Sequence, residues 1–319
     1  MLRLALPGGA AGRLSVLIFH RVLRQPDPLL PEETDAAYFD WQMRIVKSCF
    51  NVLPLSEAVE RLSRGSLPPR ALCITFDDGY ADNHEVALPI LQRYGLPATF
   101  FVATGFLDGG RMWNDSIIEA IRRATGDAID LEPLGLGRHP IGTAARRQAA
   151  TSAVIRQIKY RPLQERLDLV AALADRAGVS LPTDLMMSSL QVRSLQQAGM
   201  EIGAHTANHP ILARLSREQA RTEIVAGRES LEELTGIRVT LFAYPNGRPG
   251  EDYLPEHVRL VGELGFAAAF TTSCGAARCD SDRLQLPRFG PWDRTAARYL
   301  VRLGYNGATR GREVHEGAR

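Results

Sequence analysis

Seven short apolar runs set the terms for any fold this chain can adopt. They are Leu14–Phe19, Ala71–Phe76, Ala98–Val102, Met200–Ala204, Val239–Ala243, Ala267–Thr271 and Leu284–Arg288, with Phe50–Leu53 as a shorter candidate. They are rich in β-branched and aromatic residues, and most are continuously apolar rather than alternating. That pattern predicts strands covered on both faces, as in a parallel sheet. Helical patterns lie between them. Asp35–Cys49 carries Phe39, Met43 and Val46 at helical spacing, Ser56 stands where an N-cap should open the next helix, and Asn83–Tyr94 runs into Gly95 and Pro97. Ser216-Arg217-Glu218-Gln219 has the spacing of a capping box, and Pro255–Leu264 stops at Gly265. Strands and helices alternating through the whole chain predict an α/β fold whose sheet closes, or nearly closes, into a barrel.

One interval breaks the alternation. From about residue 111 to about 190 the sequence is mainly helical with no strand pattern, and it holds a Gly/Pro-rich piece, Pro133–Gly142. It reads as an insertion between two barrel strands, a lid or side wall, within a single domain covering 1–319. With 38 basic and 36 acidic residues the net charge is +2, too balanced for a nucleic-acid partner. Cys49, Cys73, Cys274 and Cys279 form no CxxC pair and are expected as free thiols. No run approaches the roughly 20 apolar residues of a membrane span. Leu14–Phe19 is too short for a signal-peptide core, so a cytoplasmic chain is expected, with peripheral attachment to a membrane left open. The sequence is silent on oligomeric state.

The residues just past the strand ends carry the chemistry. His20-Arg21 stands after the first strand, Asp77-Asp78-Gly79-Tyr80 after the second, His205-Thr206-Ala207-Asn208-His209-Pro210 after the fourth, and Tyr244-Pro245-Asn246-Gly247 after the fifth. In a parallel barrel all these ends open on one face, where active sites are built. Alone, Asp-Asp-Gly is a turn signal, and two histidines four apart are an ordinary solvated loop. Together, two imidazoles and one carboxylate make a mixed site for a divalent cation with open positions. The second carboxylate is then free to act as a base, the division of labour that metal-assisted hydrolysis needs.

These stretches resemble the polysaccharide deacetylases, the NodB-homology family. The matching segments are Thr75–Tyr80, Pro97–Val102, His205–Pro210 and Phe242–Gly247, and the likeness covers roughly 13–105 and 188–290. Phe19-His20-Arg21-Val22 is similar to a subgroup with an extra histidine on its first strand. The resemblance implies a distorted (β/α)7 barrel that removes N-acetyl groups from an N-acetylated glycan. It implies Asp78, His205 and His209 as ligands of a divalent metal, most often zinc, with Co2+, Ni2+ or Mn2+ as alternatives. It further implies Asp77 as general base and a backbone N–H near Asn246 as support for the oxyanion.

Two positions depart from the family. Ala243 stands where an arginine usually tethers the base, and Arg288, in Leu286-Pro287-Arg288, stands where a histidine acid is usual. Arginine stays protonated near neutral pH and is no acid there. Arg288, leaving the last strand at the same mouth, is expected to tether Asp77 instead. His20 is expected to donate the missing proton or to bind substrate; its other reading is a core histidine. Trp113, with Asn114 and Asp115, opens the insertion and is assigned to a sugar subsite; its other reading is a core residue of the insertion. Tyr244, like Tyr80, is expected to frame the pocket. A small-amide hydrolase on the same barrel and a non-catalytic carbohydrate-binding barrel are the competing readings.

Overall fold

The computed structural model describes residues 5–315. Eight strands form one sheet: β1 (Arg13–Phe19), β2 (Asn51–Val52), β3 (Ala71–Phe76), β4 (Thr99–Val102), β5 (Glu201–Ala204), β6 (Leu241–Ala243), β7 (Ala268–Phe270) and β8 (Ala277–Arg278). Their order is β7-β6-β5-β4-β3-β1-β8, with β2 paired to β3. All neighbours are parallel except β8, which runs against the start of β1. The final apolar run is not a regular strand. It is a seam: Phe270 bridges Leu286 and Leu17 bridges Phe289, both in parallel sense. Leu286 N–H donates to Ala269 O at 2.8 Å, and Ile18 N–H donates to Phe289 O at 3.1 Å. The seam joins β7 to β1 and closes the sheet into a (β/α) barrel with six parallel strands and one irregular one.

Strand alternation sorts the side chains into two layers. Val16, Ala71, Cys73, Phe101, Ala243, Phe270 and Leu286 pack together on the lumen side. Leu17, Phe19, Ile74, Phe76, Phe100, Ile202, Phe242 and Tyr244 pack outward under the helices. Burial on both faces explains why the strands read as continuous apolar runs. The helices that cover the barrel include α1 (Ala36–Cys49), α2 (Leu55–Ser63), α3 (Leu88–Tyr94), α7 (Ser189–Gln197), α8 (Arg217–Thr235), α9 (Pro255–Glu263) and α10 (Ala296–Ala308). Two helix starts have different physics. Ser216 caps α8 with a full capping box on Gln219. Ser56, by contrast, lies inside the first turn of α2, not at its cap. There the Glu201 carboxylate takes the orphan N–H groups of Leu55 and Ser56, at 2.6 and 3.1 Å. Asn83–Ala87 forms a π-helical turn before α3.

Between the adjacent strands β4 and β5 lie α4 (Trp113–Arg123), α5 (Ala144–Ile158) and α6 (Leu163–Ala177). They share their own apolar cluster of Ile117, Ile121, Val154, Ile158 and Leu173. The expectation of no strand here fails in one place. Ala128–Asp130 and Arg138–Pro140 pair as a small antiparallel hairpin, its turn carrying Gly135 and Gly137 at positive φ. The four cysteines are free. Among the described residues no helix is long and apolar enough to cross a membrane.

Candidate active site

The lumen register decides which side chains reach the mouth. Continuing from Ala71 and Cys73, the next lumen positions on β3 are Thr75 and Asp77. On β5 the lumen position after Gly203 is His205. On the seam, Leu286 is followed by Arg288. Each is buried.

Arg288 meets Asp77 head-on. Nη1 donates to Asp77 Oδ1 at 2.6 Å and Nη2 to Oδ2 at 2.7 Å, a bidentate fork with both groups nearly inaccessible to water. Nε donates to Thr271 O at 3.1 Å, and Nη1 also reaches Thr75 Oγ1 at 3.3 Å. Burial alone would raise the Asp77 pKa, but the guanidinium outweighs it and holds the carboxyl below its usual range. Small Ala243 shares the lumen layer.

Asp78 is turned away from Asp77 by its backbone. Its φ is +74°, followed by Gly79 at +93°. A Cβ at Gly79 would sit 3.0 Å from Val102 Cγ1, so only glycine suits both the φ and the space. The second motif makes a similar twist: Thr206 and His209 adopt φ of +64° and +49°, and His209 N–H donates to Thr206 Oγ1 at 3.0 Å. Glu223 of α8 clamps the same loop through Asn208 N and Nδ2, at 2.8 and 2.9 Å. Gly227 lets α8 lie against it. A Cβ there would be 2.5 Å from the Thr206 carbonyl carbon and oxygen. Nothing in the local sequence marks Gly227 or Glu223 as supports of this loop.

The result is a convergence. Asp78 Oδ1 lies 3.4 Å from His205 Nε2 and 3.3 Å from His209 Nε2, and the three ligand atoms sit within 4.8 Å of one another. His205 Nδ1 is 2.7 Å from Ala243 O. A carbonyl only accepts, so Nδ1 carries a proton and Nε2 is the atom His205 turns towards the Asp78 carboxylate; burial lowers the His205 pKa, but the Asp77 and Asp78 carboxylates outweigh it and raise it. Burial pushes the His209 pKa down to about 4, against the pull of Asp78, so this ring is neutral at pH 7. Asp78 Oδ1 is buried with no hydrogen-bond partner among the described residues. One carboxylate oxygen and two imidazole nitrogens facing one point are a donor set that fits a divalent cation.

The site opens into a cavity of about 280 Å³ lined by Asp77, Asp78, His205, His209, His20 and Trp113, among others. His20 is exposed on this wall, so the core-histidine reading is set aside. Asn246 and Asn114 also line the cavity, Asn246 at φ +59°. Tyr244 does not. It follows Phe242 on the outward layer, stacks on Tyr253 with ring centroids 4.0 Å apart, and donates its hydroxyl to Leu284 O at 2.9 Å. Its expected place on the pocket frame is corrected by strand parity. Tyr80 and Asp115 are also buried behind the wall, the hydroxyl donating to Asp115 Oδ2 at 3.0 Å. Lys159 and Arg166, from the helices between β4 and β5, line the cavity and carry no motif that would have singled them out.

A sequence profile described as polysaccharide deacetylase matches residues 64–132 and 169–269. The chain belongs to the polysaccharide deacetylase family. Members of this family are hydrolases of carbon–nitrogen bonds. This deacetylase-family chain is 21% identical over 277 residues to YxkH of Bacillus subtilis, covering 86% of this chain and 70% of that one. A stretch of 68 residues is 38% identical to the poly-β-1,6-N-acetyl-D-glucosamine N-deacetylase of Staphylococcus aureus, which is 21% of this chain and 23% of that enzyme. Two solved structures share the fold. The Streptococcus pyogenes deacetylase PplD, in complex with acetate, superposes with a TM-score of 0.62 at 20% identity, over 92% of this chain and 98% of its own. IcaB from Ammonifex degensii gives 0.59 at 19% identity, over 95% and 99%.

Proposed function

We propose that this protein is a metal-dependent N-deacetylase acting on an N-acetylhexosamine unit of a glycan. The observation that carries the reading is the meeting of Asp78, His205 and His209 beside an arginine-held Asp77 at the floor of one cavity. A divalent cation held by Asp78, His205 and His209, zinc before Co2+, Ni2+ or Mn2+, supplies polarisation of the acetyl carbonyl and a water of lowered pKa when bound.

The chain's own residues do the rest. Asp77, kept ionised by Arg288, accepts a proton from the attacking water. Its fork with Arg288 fixes the carboxylate plane, so the base cannot swing out of line. The Asn246 backbone N–H, in its left-handed turn, donates to the oxyanion that forms as water adds to the acetyl carbon. His20, on the open wall, donates the proton that the nitrogen needs as the C–N bond breaks. Trp113 offers an aromatic face to the sugar ring. Acetate and a free amine leave. The helices between β4 and β5 form one wall of the site within a single catalytic domain.

Acetate release from N-acetylglucosamine oligomers, with and without chelator, tests this reading. Wild type should release acetate, chelator should stop it and added zinc restore it. Asp77→Asn should lower kcat by at least about 100-fold, the usual worth of a general base. Turnover that survives chelation, or that Asp77→Asn leaves near the wild-type rate, refutes the assignment.

A further inference from the structure

Arg166 is a buried cation with no counter-charge among the described residues. It stands in the first turns of α6, and only 6% of it is exposed. Its guanidinium lies 4.9 Å over the Trp113 ring, and Nη1 donates to Lys159 O at 3.3 Å. Nε is buried with no hydrogen-bond partner, and no carboxylate pairs with the group among the described residues. A guanidinium has five N–H donors, so one weak bond and a stacked ring leave most of them unanswered. Burying such a charge costs free energy that the Trp113 ring and one long hydrogen bond return only in part.

Its neighbours on the cavity wall share the sign, with the Asp252 carboxylate within electrostatic reach of Lys159 behind it. Lys159, half-buried at the end of α5, lines the same cavity. A second hollow of about 300 Å³ adjoins the first through Lys159, Arg166 and Ile211. It adds Arg214 and Arg161, and among the described residues no acidic side chain lines it. Arg161 is already engaged by Glu165 at 2.5 Å, whereas Arg214 sits 5.8 Å from the Tyr160 ring. The catalytic carboxylates do not cancel this field. Asp77 is neutralised by Arg288, and Asp78 faces the cation site.

We propose that Arg166 and Lys159 form an anion subsite that binds a phosphate or carboxylate group carried by the glycan substrate. This rests on the deacetylase reading and narrows it, from N-acetylated glycans in general to those with an anionic substituent next to the acetylated sugar. Arg166 supplies a planar fork held flat by Trp113, and Lys159 a second, mobile positive charge. The same tryptophan that stacks on Arg166 lines the sugar-binding cavity, so anion and ring are gripped by one assembly.

The test compares three N-acetylated substrates: a neutral N-acetylglucosamine oligomer, N-acetylglucosamine 1-phosphate, and an oligosaccharide with a uronate beside N-acetylglucosamine. Wild type should favour one anionic substrate in kcat/KM by about tenfold or more, mainly through KM, and the favoured one identifies the oxyanion. Arg166→Gln and Lys159→Gln should collapse the anionic-to-neutral ratio, and Arg166→Lys should restore part of it. High salt should erode the preference in wild type, a readout that needs no variant to fold. Calorimetric titration with inorganic phosphate and with glucuronate provides a binding arm independent of turnover. Equal use of neutral and anionic substrates, or a ratio unmoved by Arg166→Gln, overturns the subsite while leaving the deacetylase reading intact. If no substrate yields acetate, that reading falls, and the titrations alone decide the subsite: an anion bound by wild type and lost in Arg166→Gln supports it, and no binding overturns it.

Discussion

Replacing Arg288 by Met keeps bulk in the lumen but removes both donors from Asp77. The pair is almost dry, with side-chain exposures of 0% and 3%. Breaking one half of a buried ion pair leaves the other charge stranded, at about 3–5 kcal/mol. For 319 residues, at about 2.1 cal/mol/K of unfolding entropy per residue, that is roughly 4–8 °C of melting temperature. The penalty depends on pH in a way that identifies its source. In wild type the Asp77 pKa is depressed in the folded state, so its stabilising contribution is present above the unfolded value and is lost as pH falls through the folded one. In Arg288→Met, burial is opposed only by His205 and His20, and the folded pKa rises. The stranded carboxylate then destabilises most at neutral pH and is relieved by protonation on acidification. The gap in melting temperature between wild type and variant should therefore be widest near pH 7 and narrow towards pH 4. Arg288→Met/Asp77→Asn, which removes the stranded charge, should recover much of the loss. Thermal melts followed by circular dichroism on the metal-free proteins read all three values. A gap below about 1 kcal/mol, or one that does not change with pH, would refute the reasoning.

Other perturbations reach different parts of the site. His20→Gln should cut kcat on amides by about 100-fold or more while sparing aryl acetate esters, whose leaving group needs no proton; equal losses on both would exclude the acid role. Gly227→Ala forces a Cβ against the Thr206 carbonyl. It should weaken zinc binding about 10- to 100-fold, as loss of a ligand's support does, in a competition titration; unchanged affinity would show that the loop yields. Asp115 has its pKa raised to about 7, chiefly by burial. An acid raised on folding loses stability as pH rises from its unfolded value, about 3.9, to its folded one. Asp115→Asn, which cannot ionise, should gain on wild type across that window, by about 1–3 kcal/mol at pH 8 in urea melts; a constant difference from pH 5 to pH 8 would argue against it.

The sequence exposes this barrel well because both faces of its strands are buried. Burial on both sides writes itself as unbroken apolar runs, and the polar residues at their ends then stand out. Asp77, Asp78, His205 and His209 are legible for that reason, and Arg288 follows from asking which strand ends at the same mouth. Tyr244 is misread because it follows a strand end, although alternation places it outward: with Ala243 on the lumen layer, its neighbour must face the helices. The hairpin of 128–140 escapes notice because its strands have three residues each and its turn is rich in glycine. Arg166 and Lys159 have no local signature at all. Their place on the cavity depends on how α5 and α6 fold back over the mouth, a long-range packing outcome that no spacing rule contains.

Arg288 rides on a seam that isolated bridges, not a regular ladder, hold to β7 and β1. The tether of Asp77 is thus tied to an irregular stave of the cask. An opening confined to that seam would withdraw the guanidinium from Asp77 with the remaining strands still paired, leaving a folded but idle enzyme. A brace across residues 284–289 and β1 would accordingly widen the range of temperature over which the protein works, more than it would delay its collapse.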